Sequence, residues 1–149
     1  MMAEVRRYIL DASVATKWLL RLADEPHSEH AALVLEAYQQ DRVHLLAPEH
    51  INYEIGHALH RAVRRDRITA EQGRSLLSLF YSLQVPTTTN SEILLHAWTV
   101  ADRFGCSFYD GVYLALSELS GIPFLHADYR LRNMLHGRFP LARWIEDYQ

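Results

Sequence analysis

Four carboxylates interrupt stretches of sequence that otherwise read as buried: Asp11 in Ile-Leu-Asp-Ala-Ser-Val, Glu54 in Asn-Tyr-Glu-Ile-Gly-His-Ala-Leu, Asp110 in Phe-Tyr-Asp-Gly-Val-Tyr, and Asp128 in Phe-Leu-His-Ala-Asp. An ionised acid is seldom buried without a partner, because desolvation penalises its charge. Acids brought close together also repel, so one of them would take up a proton at neutral pH unless a cation is shared. A divalent ion removes both conflicts. Oxygen donors with no cysteine among them favour Mg²⁺ or Mn²⁺ over Zn²⁺ and leave coordination positions for water and phosphate. Two such ions, about 3.5–4 Å apart, can activate a water and stabilise the leaving oxygen of a phosphodiester. The plainer alternative is that the acids cap helices and solvate turns. That alternative suits Asp110 or Asp128 singly, and suits Glu54 least, because its spacing puts it on the apolar stripe of a helix.

Short strands alternating with amphipathic helices must position these acids. Residues 5–10 read as a buried strand that ends at Asp11, and a helix follows from Ser13 through Leu20. Pro26 reads as the first position of the next helix, which carries Ala31, Leu33, Val34, Leu35 and Tyr38. A short strand is expected at Val43 to Leu46, after which Pro48 opens a long helix with Ile51, Ile55, Ala58, Leu59 and Ala62 on one face. Thr69 and Gln72 have the spacing of a capping box. Val85 to Thr87 reads as a brief strand, Asn90 as an N-cap, and Gly105 as the end of the helix between them. Cys106 to Tyr109 reads as a strand, Asp110 to Leu119 as a helix, and Phe124 to His126 as a strand just before Asp128. This alternation indicates a parallel α/β sheet, in which ligands gather outside the carboxyl ends of the strands. Asp11, Asp110 and Asp128 are expected there, with Glu54 joining from a helix beside the sheet.

The 149 residues suit one domain with one core, and residues 1–149 are read as a single unit. No apolar stretch is long enough to cross a bilayer, and the amino terminus has no long apolar run behind its charges. With a single cysteine, Cys106, no internal disulfide can form, and a cytoplasmic protein is expected. Gly105 and Ser107 offer Cys106 no cation to stabilise a thiolate, so it is not read as a nucleophile. Fourteen of the fifteen basic residues are arginine, Lys17 being the exception. Arg61, Arg64, Arg65 and Arg67 form one cluster, Arg130 and Arg132 another. Guanidinium binds phosphate oxygens bidentately, so these clusters are candidate nucleic-acid contacts, although a solvated helix face or a GC-rich genome accounts for them equally well.

These motifs together resemble the PIN-domain ribonucleases, particularly the VapC-type toxins of bacterial toxin–antitoxin systems. The resemblance runs through Leu-Asp-Ala-Ser-Val at 10–14, Pro48 to Glu54 with Ala58-Leu59, Tyr109-Asp110 with Tyr113-Leu114-Ala115-Leu116, and Ala127-Asp128. Each motif is short, and their order and intervals carry the match. The resemblance implies a three-layer α/β/α domain with a central parallel sheet and Mg²⁺- or Mn²⁺-dependent endoribonuclease activity. It implies that Asp11, Glu54, Asp110 and Asp128 serve as metal ligands and water activators, with Ser13 orienting a ligand. It also implies a homodimer, a small cognate antitoxin and a structured RNA substrate, for which the arginine clusters offer Arg61, Arg64, Arg65, Arg130 and Arg132 as candidate RNA contacts.

Two positions depart from the family pattern. His126 stands where the family generally has threonine or serine, and His57 where it often has asparagine. Either imidazole could donate a hydrogen bond to a carboxylate or phosphate, and each could charge in mild acid and compete with metal. Cleavage is therefore expected to weaken below neutral pH.

Three rival readings are compatible with these residues. Glu54-x-x-His57, with His50 and His60 nearby, has zinc or di-iron character but lacks the second copy that a carboxylate-bridged bundle needs. A phospho-receiver also gathers aspartates around Mg²⁺, but it uses a lysine near a late strand, whereas Lys17 is early. A module that binds RNA or protein without cutting would keep the fold, and Mg²⁺-dependent turnover separates it from a nuclease. Gly111 reads as a packing or close-approach position and not as a catalytic one. Trp18, Trp98 and Trp144 read as core or dimer-interface residues, and Tyr53, Tyr109 and Tyr129 as packing residues ahead of RNA stacking.

Overall fold

The computed structural model describes residues 4–149. Five strands form one parallel sheet: β1 (Arg6–Leu10), β2 (Val43–Pro48), β3 (Thr87–Thr88), β4 (Phe124–His126) and β5 (Ala142–Trp144), in the spatial order β3-β2-β1-β4-β5. Parallel neighbours require crossovers, and helices supply them. Between β1 and β2 run α1 (Ala12–Leu19) and α2 (Ser28–Gln39). Between β2 and β3 run α3 (Ile51–Arg64) and α4 (Ala70–Ser82). Then come α5 (Ser91–Phe104) and α6 (Phe108–Ser120) before β4, and α7 (Tyr129–Leu135) before β5.

Strand pleating divides the core in two. Ile9 and Leu10 are adjacent in β1 and turn to opposite faces. Leu10 packs with α1, α2, α3 and α4, whereas Ile9 packs with α5, α6 and α7. The result is the expected three-layer α/β/α arrangement. The chain builds outward from β1 to β2 and β3, then returns to the other side of β1 for β4 and β5. In a sheet so wound, the crevice for a ligand opens where the strand order reverses, between β1 and β4 at their carboxyl ends.

Caps end and start the helices largely where the sequence indicates. Thr69 and Gln72 form a reciprocal capping box at α4, Asn90 accepts the Ile93 N–H at 2.8 Å, and Gly105 closes α5 in the left-handed conformation at φ 67°. Four details differ. Pro48 ends β2 and does not open α3. Its neighbours' N–H groups bond to Pro86 and Thr88 on the β3 side, while an N–H at 48 would face beyond the last β1 pair, Ile9–Leu46, so the missing donor costs nothing. Residues 106–109 are not a strand, because the Ser107 hydroxyl accepts the Asp110 N–H at 3.0 Å and starts α6 at Phe108. The helix expected at Pro26 begins at Ser28, after His27 turns the chain at φ 60°. The brief strand expected at Val85 to Thr87 is Thr87–Thr88.

Gly111 is a close-approach position. A Cβ there would stand 2.8 Å from the Ala97 carbonyl oxygen and 2.9 Å from the Ala101 Cβ, so α5 and α6 touch only because it is absent. Gly111→Ala should cost about 1–3 kcal/mol in urea-melt stability by forcing these helices apart. A stability equal to wild type would show that the helix pair can slide.

Candidate active site

The strand-order reversal lies beside a cavity of about 500 Å³ whose lining includes Asp11, Ser13, Tyr53, Glu54, His57, Arg61, Tyr109, Asp110 and Asp128. Asp11 reaches it from the end of β1, and Asp128 from just past β4. Asp110 comes from the first turn of α6, not from a strand end, because α6 starts at Phe108. Glu54 comes from the first turn of α3, at the edge of the buried stripe of Ile51, Ile55, Leu59 and Ala62.

The four acids differ in environment. Asp11 is buried, whereas the side chains of Asp110, Asp128 and Glu54 keep 14%, 30% and 38% exposure. The capping role is real for two of them: Asp11 caps α1, and Asp128 caps α7 by accepting the Leu131 N–H at 3.1 Å. Capping and cavity lining coincide because a helix that follows a parallel strand begins at the strand's carboxyl end. Burial pushes the Asp11 carboxyl up to about 8, the Ser13 hydroxyl opposes that rise, and the neighbouring Glu54 and Asp110 charges add to it.

Ser13 ties the cavity together. Its hydroxyl donates to Asp11 Oδ2 and accepts the backbone N–H of Ala127 at 2.9 Å, linking the end of β1 to the end of β4. Ser13→Ala leaves the Ala127 N–H without that partner and removes the bond that favours ionised Asp11. The expected result is about 1–3 kcal/mol of lost stability in chelator and an Asp11 carboxyl pushed higher still. Unchanged melting would show that water replaces the hydroxyl.

Behind Glu54 lies a pair that the sequence reading did not connect with it. His50 Nε2 is 3.0 Å from Glu54 Oε1, and the Tyr113 ring meets the His50 ring edge-on at 4.7 Å. These two atoms and the Tyr113 hydroxyl are buried without well-aligned hydrogen bonds. The i,i+4 spacing of His50 and Glu54 is the signal that could have linked them.

The two family departures have different fates. His57 is exposed and lines the cavity. His126 is buried, stacked on Phe124 and edge-on to Trp144, with Asp128 near enough to act on its charge. Burial pulls its imidazole down to about 4, and the neighbouring Asp128 charge opposes that fall.

The arginines divide in the same way. Arg61 lines the cavity, and Arg130 donates to Asp110 at 2.9 Å. Arg132 instead lies over the Trp144 ring at 4.5 Å, away from the acids, and Arg64 and Arg65 are exposed at the far end of α3. Tyr53 and Trp98 are exposed, Tyr129 is partly exposed but packs on Trp144 at 4.7 Å, Tyr109 is exposed beside the His50 ring at 5.2 Å, and Trp18 and Trp144 are buried.

The rivals lose their geometry. Lys17 pairs with Glu25 at 2.6 Å and is absent from the cavity lining, so no receiver-type lysine faces the acids. His60 lines a different groove, between α3 and α4, which separates the histidines proposed for zinc. Among the described residues, no three histidine, cysteine, aspartate or glutamate side chains stand close enough to hold a metal as they are. No helix among the described residues is long and apolar enough to cross a membrane.

Comparison with known proteins gives this geometry a context. The PIN domain family model matches residues 8–135, a span that contains all four acids. Ribonuclease VapC12 of Mycobacterium tuberculosis is 32% identical over 129 residues, covering 83% of this chain and 88% of that protein. Ribonuclease VapC1 of the same organism is 36% identical over 86 residues, covering 57% of this chain and 63% of the relative, less than two thirds of its length. The crystal structure of PAE2754 from Pyrobaculum aerophilum superposes with a TM-score of 0.67 at 21% identity, over 97% of this chain and 93% of that one, which speaks to the fold. With the family match spanning most of the chain and relatives that carry the VapC name, this protein belongs to the PIN-domain family and is of the VapC type.

Proposed function

We propose that this protein is a divalent-metal-dependent endoribonuclease that acts as the toxin of a toxin–antitoxin pair. One observation carries the reading: Asp11, Glu54, Asp110 and Asp128 line one cavity, where the buried Asp11 lies near the Glu54 and Asp110 carboxylates with no arginine, lysine or histidine paired to it among the described residues. The relatives named ribonuclease support the choice of RNA. The donor set fits Mg²⁺ or Mn²⁺, since all four ligands are carboxylates and the buried Glu54 Oε1 has no aligned donor. When bound there, such an ion supplies a water of lowered pKa and charge neutralisation at the phosphate.

The chain's own residues do the rest. Ser13 orients Asp11 before a substrate arrives, and the His50 ring stands 3.0 Å behind Glu54 Oε1. Arg61 lines the same cavity as the acids and is the guanidinium there available to a phosphate oxygen. Tyr53 and Tyr109 present exposed rings at its rim, on which unpaired bases can stack. The exposed Leu94, Leu95 and Trp98 of α5 supply an apolar face for a homodimer, and a small antitoxin is the second protein partner. A cytoplasmic location and a structured RNA target belong to the same proposal.

Purified protein, free of any co-purified partner, is incubated with total cellular RNA in Mg²⁺, in Mn²⁺ and in chelator. Discrete fragments that need metal are expected. Intact RNA beside a folded protein would overturn the nuclease reading and leave a binding module.

A further inference from the structure

Arg130 stands in an unusual place for a cation. It is the second residue of α7, where the helix dipole presents its positive end and disfavours positive charge. What holds it there is carboxylate. Its Nη2 lies 2.9 Å from Asp110 Oδ2 and 3.7 Å from Asp128 Oδ2, so one guanidinium nitrogen is shared by two of the four acids. The Arg130 side chain is 60% exposed, whereas that of Asp110 is 14% exposed. The acid is fixed in the wall, and the guanidinium reaches it from solvent on a flexible stem.

Asp110 and Asp128 are two of the carboxylates that would hold a divalent ion, and the Arg130 guanidinium takes up oxygens that such an ion would need. The two cannot hold the same oxygens together. Arg132, two residues on, makes no such contact and stays over Trp144.

We propose that Arg130 is an exchangeable counter-ion for Asp110 and Asp128, displaced by the divalent ion and thereby freed to bind a phosphate oxygen of the nucleic acid. The ion and the guanidinium compete for the same carboxylates, and the exchange moves one positive charge from the acids to the substrate. Arg130 is thus a positioning residue whose site changes with loading, and metal-free protein keeps it on the acids. The inference rests on the metal-dependent reading given above.

The test is Mn²⁺ titration by calorimetry into wild type, Arg130→Gln, Arg130→Lys and Arg132→Gln, all purified metal-free and checked for folding. Arg130→Gln should bind Mn²⁺ about 10-fold more tightly, Arg130→Lys should stay close to wild type, and Arg132→Gln, with the same loss of charge, should not change. With RNA and Ca²⁺, Arg130→Gln should bind RNA several-fold more weakly than wild type. Equal Mn²⁺ affinity in wild type and Arg130→Gln overturns the exchange while leaving the metal site standing. An equal gain in Arg130→Gln and Arg132→Gln also overturns it, since general electrostatics would then suffice. If no variant takes up Mn²⁺, the exchange and the metal-dependent reading fall together.

Discussion

An Asp11→Asn variant is expected to lose metal-dependent RNA cleavage by at least about 10²-fold, while folding as well as wild type or better. The two halves of that expectation have one cause. Asp11 is the most buried of the four acids, and burial raises its carboxyl to about 8, so the folded metal-free protein carries a group whose charge it penalises. Asparagine keeps the side-chain oxygen that caps α1 by accepting the Ser13 N–H, and it is as good a cap as aspartate. It cannot supply the negative oxygen that a divalent ion needs. Cleavage by the purified variant, read beside its melting curve at pH 7.5, separates lost chemistry from lost structure. Cleavage within about 3-fold of wild type would remove Asp11 from the site.

The second expectation concerns stability against pH in chelator. Because the folded pKa of Asp11 is raised from 3.8 to about 8, the folded state retains a proton that the unfolded chain has released throughout that window. The contribution of this group is therefore fully present below about pH 4 and is lost as pH rises through 8. Its size is on the order of a few kcal/mol across the window. His126 acts in the opposite sense. Its folded pKa is lowered from 6.5 to about 4, so its contribution is present above 6.5 and is lost as pH falls toward 4. The two partly offset one another between 4 and 6.5, and the Asp11 effect is clearest from 6.5 to 8. Urea melts of wild type and Asp11→Asn over this range should diverge, with wild type falling relative to the variant as pH rises. Parallel profiles would show that Asp11 is solvated well enough to ionise normally.

Much of the frame was legible from local pattern. Strands β1 and β4, the capping box at Thr69, the Asn90 cap and the close approach at Gly111 all depend on residues within a turn or two of one another. Pro48 and the 106–109 segment depart from the local pattern for the same reason. A proline suits both a helix start and a strand whose neighbour has already ended, and an aromatic pair suits both a strand and a helix capped by Ser107. Only the hydrogen bonds made elsewhere choose between them.

By itself the sequence determined which side chains could do chemistry and in what order they appear, because acid identity, capping and helical spacing are local properties. The tertiary structure decided which of those side chains meet. Winding outward from β1 and then back to β4 puts Asp11 and Asp128 at one crevice, and the angles of α3 and α6 bring Glu54 and Asp110 to it. The pleat of β4 sends His126 into the core, and the turn of α7 gives Arg130 to the acids and Arg132 to Trp144. Burial, charge pairing and the raised Asp11 carboxyl all follow from neighbours distant in sequence, and no short window of residues contains them.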